Sequence, residues 1–213
     1  MPDLLSYSIA DFILFSPEIY ARMLQRYQQD IMPLPWVGFA AGLAMMWMVH
    51  RRRMHGTILI LAACWAWVGW AFHIERYTQL NWAALYFGWA FMLQAVLMVI
   101  TGVRGDLKRW MPGIVLIGLA VIAHPLIGLF TGHAWPSTGL FGTAPDPVAV
   151  ATLGLSLTTR DWRRWALAII PALWCVISVL TAFGLAQPAL AITTGTGLVI
   201  WFVLVLLRPQ GKS

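Results

Sequence analysis

The residues best equipped for chemistry in this chain are few, and they gather in a handful of places. His73 and Glu75 stand two apart, and Asn81 follows them. His124 precedes a proline. His133 and Asp146 bracket the stretch HAWPSTGLFGTAPD, and Thr193, Thr194 and Thr196 come late in the chain. Imidazole combined with carboxylate suits a divalent transition metal, and His73, His133 and Asp146 form the candidate metal set. Trp70 and Trp135 would shape a pocket beside them. No pair has a diagnostic metal spacing, and on a continuous helix His73 and Glu75 point in different directions. The commoner role for such groups is an interfacial anchor or a buried hydrogen-bond network. Haem held by axial histidines on facing helices is a second chemistry, but only His124 is deeply placed. No Ser/His/Asp arrangement, phosphate loop or redox Cys-x-x-Cys is visible, so the residue types lean away from an enzyme. No cofactor follows from them.

The elements that must hold these groups are apolar. Of 213 residues, 60% are hydrophobic and 10% charged, with 13 Trp and a mean hydropathy of +0.75. A soluble chain runs at about 25% charged, so a water-facing globular surface is excluded and a multi-pass membrane protein is expected. Seven all-α spans are predicted, at roughly 34–50, 56–74, 81–102, 110–132, 147–159, 165–186 and 189–207. The division is an N-terminal segment 1–33, a transmembrane domain 34–207 and a tail 208–213.

Charge orients the spans. Arg51, Arg52, Arg53, Arg104, Lys108, Arg109, Arg160, Arg163, Arg164, Arg208 and Lys212 fall on one side. Only Arg22, Arg26 and Arg76 of the 14 basic residues fall on the other. By the positive-inside rule the N-terminus is outside and the C-terminus cytoplasmic. The net charge of +6 then belongs to cytoplasmic loops, not to a nucleic-acid surface. Cys64 and Cys175 lie in apolar runs and say little about redox compartment. The last span has no lysine for a retinal Schiff base.

Two segments depart from this pattern. Ser16-Pro17-Glu18 is a helix start, with a capping hydroxyl, proline in the first turn and an acid at the positive helix end. Ile19, Tyr20, Met23, Leu24 and Tyr27 follow at helical spacing. This predicts an amphipathic helix lying either in the membrane interface or on the protein's own surface. Span five, Pro147 to Thr159, is only about 20 Å long at 1.5 Å per residue, against a hydrocarbon core of about 30 Å. The turn-rich stretch before it would dip into the outer half of the membrane, where irregular backbone must be buried in protein or line a wet cavity. Short or broken spans often mark transporter sites. All acids fall at or outside the predicted span ends, which disfavours a proton-coupled pump. Trp65, Trp67, Trp70 and Trp89 could form an aromatic wall near His73. Trp36, Trp82, Trp110, Trp135, Trp162 and Trp165 sit where interfacial Trp is expected.

Two stretches resemble a known family. One runs from Trp70-Ala-Phe-His73-Ile-Glu-Arg-Tyr through Asn81 to Gln94-Ala95. The other runs from His124-Pro125-Leu-Ile-Gly128 to Phe141-Gly142-Thr-Ala-Pro145-Asp146-Pro147, and Phe-Ser-Pro-Glu-Ile-Tyr near the N-terminus fits as well. They resemble the bacterial membrane proteins of domain of unknown function 6064, a family of small polytopic proteins sometimes labelled permeases. The resemblance implies a fold, a site location and the bacterial inner membrane, but no established activity. In that family a Cys often stands between the two prolines where Asp146 stands here, and an aromatic tends to stand at the position of His124. Asp146 would turn soft thiolate chemistry into harder oxygen-donor chemistry.

The leading functional expectation is an outward-facing polar pocket among spans two, four, five and seven, roofed by 133–147, that binds or passes a small solute or metal ion. The second is an accessory or assembly subunit of a larger membrane complex, or a homo-oligomer, docking through its N-terminal helix and outer loop. The third is a haem-binding redox subunit.

Overall fold

The computed structural model describes residues 13, 15–102, 110–130, 138–159 and 161–207, and among them every regular element is helical. The helices are α1 (Pro17–Asp30), α2 (Leu34–His50), α3 (Met54–Trp67), α4 (Ala84–Thr101), α5 (Trp110–Gly118), α6 (His124–Phe130), α7 (Pro145–Ser156), α8 (Arg163–Gly184) and α9 (Ile192–Leu206). Each predicted span has a helix within a few residues of its expected ends. Five continuous stretches are long and apolar enough to cross a membrane: Met54–Gln79, Ala84–Thr101, Met111–Phe130, Arg163–Gly184 and Pro188–Leu206. The pair α1 and α2, bent by 84°, would together make a sixth. Alone, α2 and α7 fall short of that length.

Two of these stretches change pitch. α3 runs into a π-helical segment, Val68–Ile74, that carries His73. α5 runs into another, Leu119–Ala123, that ends directly before His124. A π-turn inserts one extra residue per turn and is common at functional sites. Both buried histidines therefore sit where the helix widens.

The first helix begins as its sequence dictates. The Ile19 amide donates to Ser16 Oγ at 3.4 Å, with Pro17 at the first position. Of the two placements considered for it, α1 docks on the protein itself. Leu24, Tyr27 and Gln28 are buried, and Tyr20 packs with Phe15 and Tyr77, all three rings lying 5.6–5.8 Å apart. Trp67 Nε1 donates to Tyr27 Oη at 3.0 Å, and Arg76 pairs with Asp30 at 2.9 Å.

The short helix α7 lies at the centre. Every residue from Pro147 to Thr159 is buried, enclosed by α3, α5, α8 and α9. Small residues allow that enclosure: a methyl on Gly154 would lie 2.7 Å from the Gly113 carbonyl of α5, the close backbone approach typical of membrane helix pairs. A helix buried all round must also satisfy its polar side chains inside the protein. Three tryptophans from three different helices do this. Trp65 of α3 donates to Thr152 Oγ1 at 2.8 Å, Trp174 of α8 to Asp146 Oδ1 at 2.9 Å, and Trp201 of α9 to Ser156 Oγ at 2.9 Å. Interhelical bonds of this kind contribute about 1 kcal/mol each. Trp65→Phe keeps the ring that packs on Phe91 and removes only the donor. It is expected to lower stability by about 1 kcal/mol, read as a shifted midpoint in denaturant titration of the detergent-solubilised protein.

The aromatic wall expected near His73 is only partly realised. Trp65 is buried, but Trp70 and Trp89 are more than half exposed. The indole that does face His73 is Trp174, at 4.8 Å between ring centroids.

Candidate functional site

The segment before α7 is irregular yet buried. Thr138 to Ala144 are at most 9% exposed where a value is resolved, so this backbone is sheltered by protein. Gly139 and Gly142 make the turn possible, with φ of +72° and +88°, a region that side chains with a Cβ rarely enter. Thr143 and Ala144 donate their amides to Leu140 O at 3.2 and 3.1 Å, and the Thr143 hydroxyl donates to Gln28 Oε1 of α1 at 3.2 Å. The end of this segment delivers Asp146 to the first turn of α7, where the positive helix end favours a carboxylate.

Asp146 is the focus of the site. Oδ1 accepts from Trp174 Nε1 and Oδ2 from Ser178 Oγ, both at 2.9 Å. Trp174 lies near the middle of α8 and Ser178 one turn further on, so the carboxylate lies alongside the body of a membrane-length helix. Asp146 still stands at the start of its own helix, as expected of an acid at a span end. The helix positions were legible, but the burial of α7's first turn depends on the fold of the segment before it.

Asp146 opens into a cavity of about 60 Å³. Its further polar lining comes from Tyr20, Tyr77, His124, Thr138, Ser178, Thr181 and Thr193. His124 Nε2 lies 3.1 Å from the Thr138 carbonyl. A carbonyl only accepts, so Nε2 carries the proton and Nδ1 presents a lone pair. Among the described residues, that Nδ1 and the Thr138 hydroxyl have no partner. No lysine or arginine lines the cavity among the described residues. Desolvation, helped by Tyr77 and then by the Asp146 carboxylate, pushes the Tyr20 phenol well above its usual range. Tyr20 thus offers a neutral hydroxyl.

The predicted site residues part company here. Asp146, His124 and Thr193 line the cavity. Glu75 and Trp70 bond to each other at 2.8 Å on the exposed surface, outside the cavity. Asn81 Oδ1 caps the Ala83 amide at 3.0 Å. Thr194 is buried with its hydroxyl unpartnered, and Thr196 is exposed. His133 and Trp135 lie outside the described residues.

His73 is fully buried. It sits within 6.1 Å, ring to ring, of Phe72, Tyr77, Phe87, Phe91 and Trp174, and among the described residues neither ring nitrogen has a partner. Trp174 touches His73 with its ring and Asp146 with its N–H, and so stands between them. Among the described residues no three of His, Cys, Asp and Glu converge as a metal site requires.

Several contributors were not expected. Trp174, Ser178 and Thr181 repeat at helical spacing along one face of α8 and line the cavity, yet span six was left out of the expected pocket. That polar stripe in an otherwise apolar helix was the available signal. α1, through Tyr20 and Leu24, and the link after α8, through Leu185, Ala189 and Leu190, complete the lining.

The comparisons bear on this arrangement. The profile of a family of unknown function, DUF6064, matches residues 17–210, from the start of α1 to beyond α9. The chain belongs to this family. No curated protein and no solved structure shows significant similarity. The matched range of the DUF6064 protein includes every residue lining the Asp146 cavity.

Proposed function

We propose that this DUF6064 protein is a multi-pass membrane protein whose Asp146 cavity binds, or passes, a small cationic solute rich in hydrogen-bond donors. The observation that carries this reading is the Asp146 carboxylate, held by Trp174 and Ser178 in a cavity lined by no lysine or arginine among the described residues. The remaining lone pairs on Asp146, together with Nδ1 of His124, call for a ligand that donates. A cavity of about 60 Å³ has room for roughly two to four waters, which points to ammonium or a short alkylammonium. Trp174, Tyr20 and Tyr77 add aromatic faces that favour a cation. A metal ion is the weaker candidate, because no three of His, Cys, Asp and Glu converge among the described residues.

The test is thermal unfolding of the purified protein with ammonium, methylammonium, potassium and divalent metals in turn. At a ligand concentration of about 100 times Kd the stabilisation reaches about 2.7 kcal/mol. Unchanged melting with every one of these ions removes the reading.

The topology belongs to the same proposal: seven crossings including α2 and α7, the N-terminus outside, the cavity opening outward, and the bacterial inner membrane as location. Support comes from the sorting of basic residues described above. Both native cysteines are buried, so single introduced thiols report cleanly. Gln25→Cys on exposed α1 is expected to react with a membrane-impermeant maleimide in spheroplasts. Arg51→Cys is expected to react only after lysis. The reverse pattern overturns the orientation.

A further inference from the structure

On α1, the buried face made by Leu24, Tyr27 and Gln28 leaves the opposite face outward. Ile19, Arg22 and Arg26 occupy it at helical spacing, with half-buried Met23 on its flank. The turn after α3 brings Arg76, Gln79 and Leu80 alongside. Together these seven residues line an open cavity of about 300 Å³, which shares no lining residue with the one at Asp146. It gathers all three arginines that the charge pattern assigns to this side of the protein.

The guanidinium groups are partly pre-positioned. Asp30 holds Arg76 at 2.9 Å, and Arg22 Nε donates to the Glu18 carbonyl at 3.4 Å. The acidic groups in the neighbourhood are Glu18, Asp30 and Glu75. None of the three lines the cavity, and Glu75 is engaged by Trp70. A fork of planar guanidinium groups is the side-chain chemistry best matched to phosphate oxygens. The remaining wall is Ile19, Met23 and Leu80 with Gln79, whose amide donates to the Glu75 carbonyl, and a free phosphate has no use for the apolar part. Around this end of the bundle Trp36, Trp82 and Tyr86 are more than half exposed, as in the aromatic belt that marks headgroup depth.

We infer that this cavity binds the phosphate of an anionic phospholipid, with Arg22, Arg26 and Arg76 on the phosphate and Ile19, Met23 and Leu80 against the glycerol and acyl-ester region. The inference does not rest on the Asp146 reading.

Native mass spectrometry of the full-length protein, loaded with phosphatidylglycerol and phosphatidylcholine in equal amounts, tests it. Wild type is expected to retain phosphatidylglycerol preferentially. Each basic residue at a membrane surface contributes about fivefold to anionic-lipid binding, so Arg22→Gln/Arg26→Gln should lose that preference by at least about fivefold. Arg51→Gln, at the other end of α2, should keep it, as should Asp146→Asn. Arg22→Lys/Arg26→Lys, which retains charge but not the forks, should fall between wild type and the glutamine variant. Equal retention of the two lipids by wild type overturns the site. So does an equal loss in Arg51→Gln, because the effect is then general surface charge. Inorganic phosphate stabilising the protein as well as phosphatidylglycerol does overturns the lipid assignment in favour of a soluble anion.

Discussion

Asp146→Ala is expected to lower stability by about 1–3 kcal/mol and to abolish every cation-dependent shift in melting temperature. The stability loss follows from the partners left behind. Trp174 Nε1 and Ser178 Oγ both donate to this carboxylate, and Trp174 is only 6% exposed. An indole N–H stranded in such a place costs about 1–3 kcal/mol. Ser178 escapes more cheaply, because a helical serine can turn its hydroxyl back to a carbonyl one turn earlier. Asp146→Asn separates structure from binding. Its amide oxygen can still accept from Trp174, and its amide nitrogen can donate to the Ser178 oxygen, so stability should stay within about 1 kcal/mol of wild type. The charge is gone, and so should be the response to ammonium. Denaturant titration gives the first quantity and melting with added ions the second. An asparagine variant that still responds to ammonium would move the binding site elsewhere.

The second large effect is at Gly38 of α2. A methyl there would run into the carbonyl oxygen of Phe141 and lie 3.3 Å from Gly142 Cα. Both are backbone atoms of the buried segment, so no rotamer change relieves the contact, and α2 must move off the loop. Gly38→Ala is therefore expected to cost about 3 kcal/mol or more, at the upper end for overpacking. Gly195→Ala is the matched control. Its methyl would meet nothing closer than Val179 Cγ2 at 3.6 Å, and its effect should stay within about 1 kcal/mol, the scale of the helix preference for alanine over glycine. Because Gly38 abuts the segment that delivers Asp146, the variant that folds should also bind cations less well. Denaturant midpoints of the two variants, compared side by side, give the answer.

Helix positions were legible because they depend on local properties: runs of apolar residues, the Ser16–Pro17 cap, and basic residues between the runs. What was not legible depends on distance. Asp146 looked like a loop residue because its neighbours in sequence are Ala-Pro and Pro, and only the fold of 138–144 reveals its depth. Glu75 looked like its companion but lies on the outer surface with Trp70. The tryptophans carried the least recoverable information. Trp65, Trp174 and Trp201 resemble any membrane-helix tryptophan in sequence, and their use as hydrogen-bond donors to α7 follows from side-chain partners separated by 28 to 87 positions.

The enclosure of α7 also constrains biogenesis. A twelve-residue helix that begins with an acid flanked by prolines is a poor substrate for the translocon, which releases segments into lipid according to their own hydrophobicity and length. Two of the helices that encase it, α8 and α9, are synthesised afterwards. With the seven-crossing topology proposed above, Pro145–Ser156 is expected to wait in a protected or interfacial state until they emerge, and nascent chains truncated before α8 should be the species most exposed to membrane quality-control proteases.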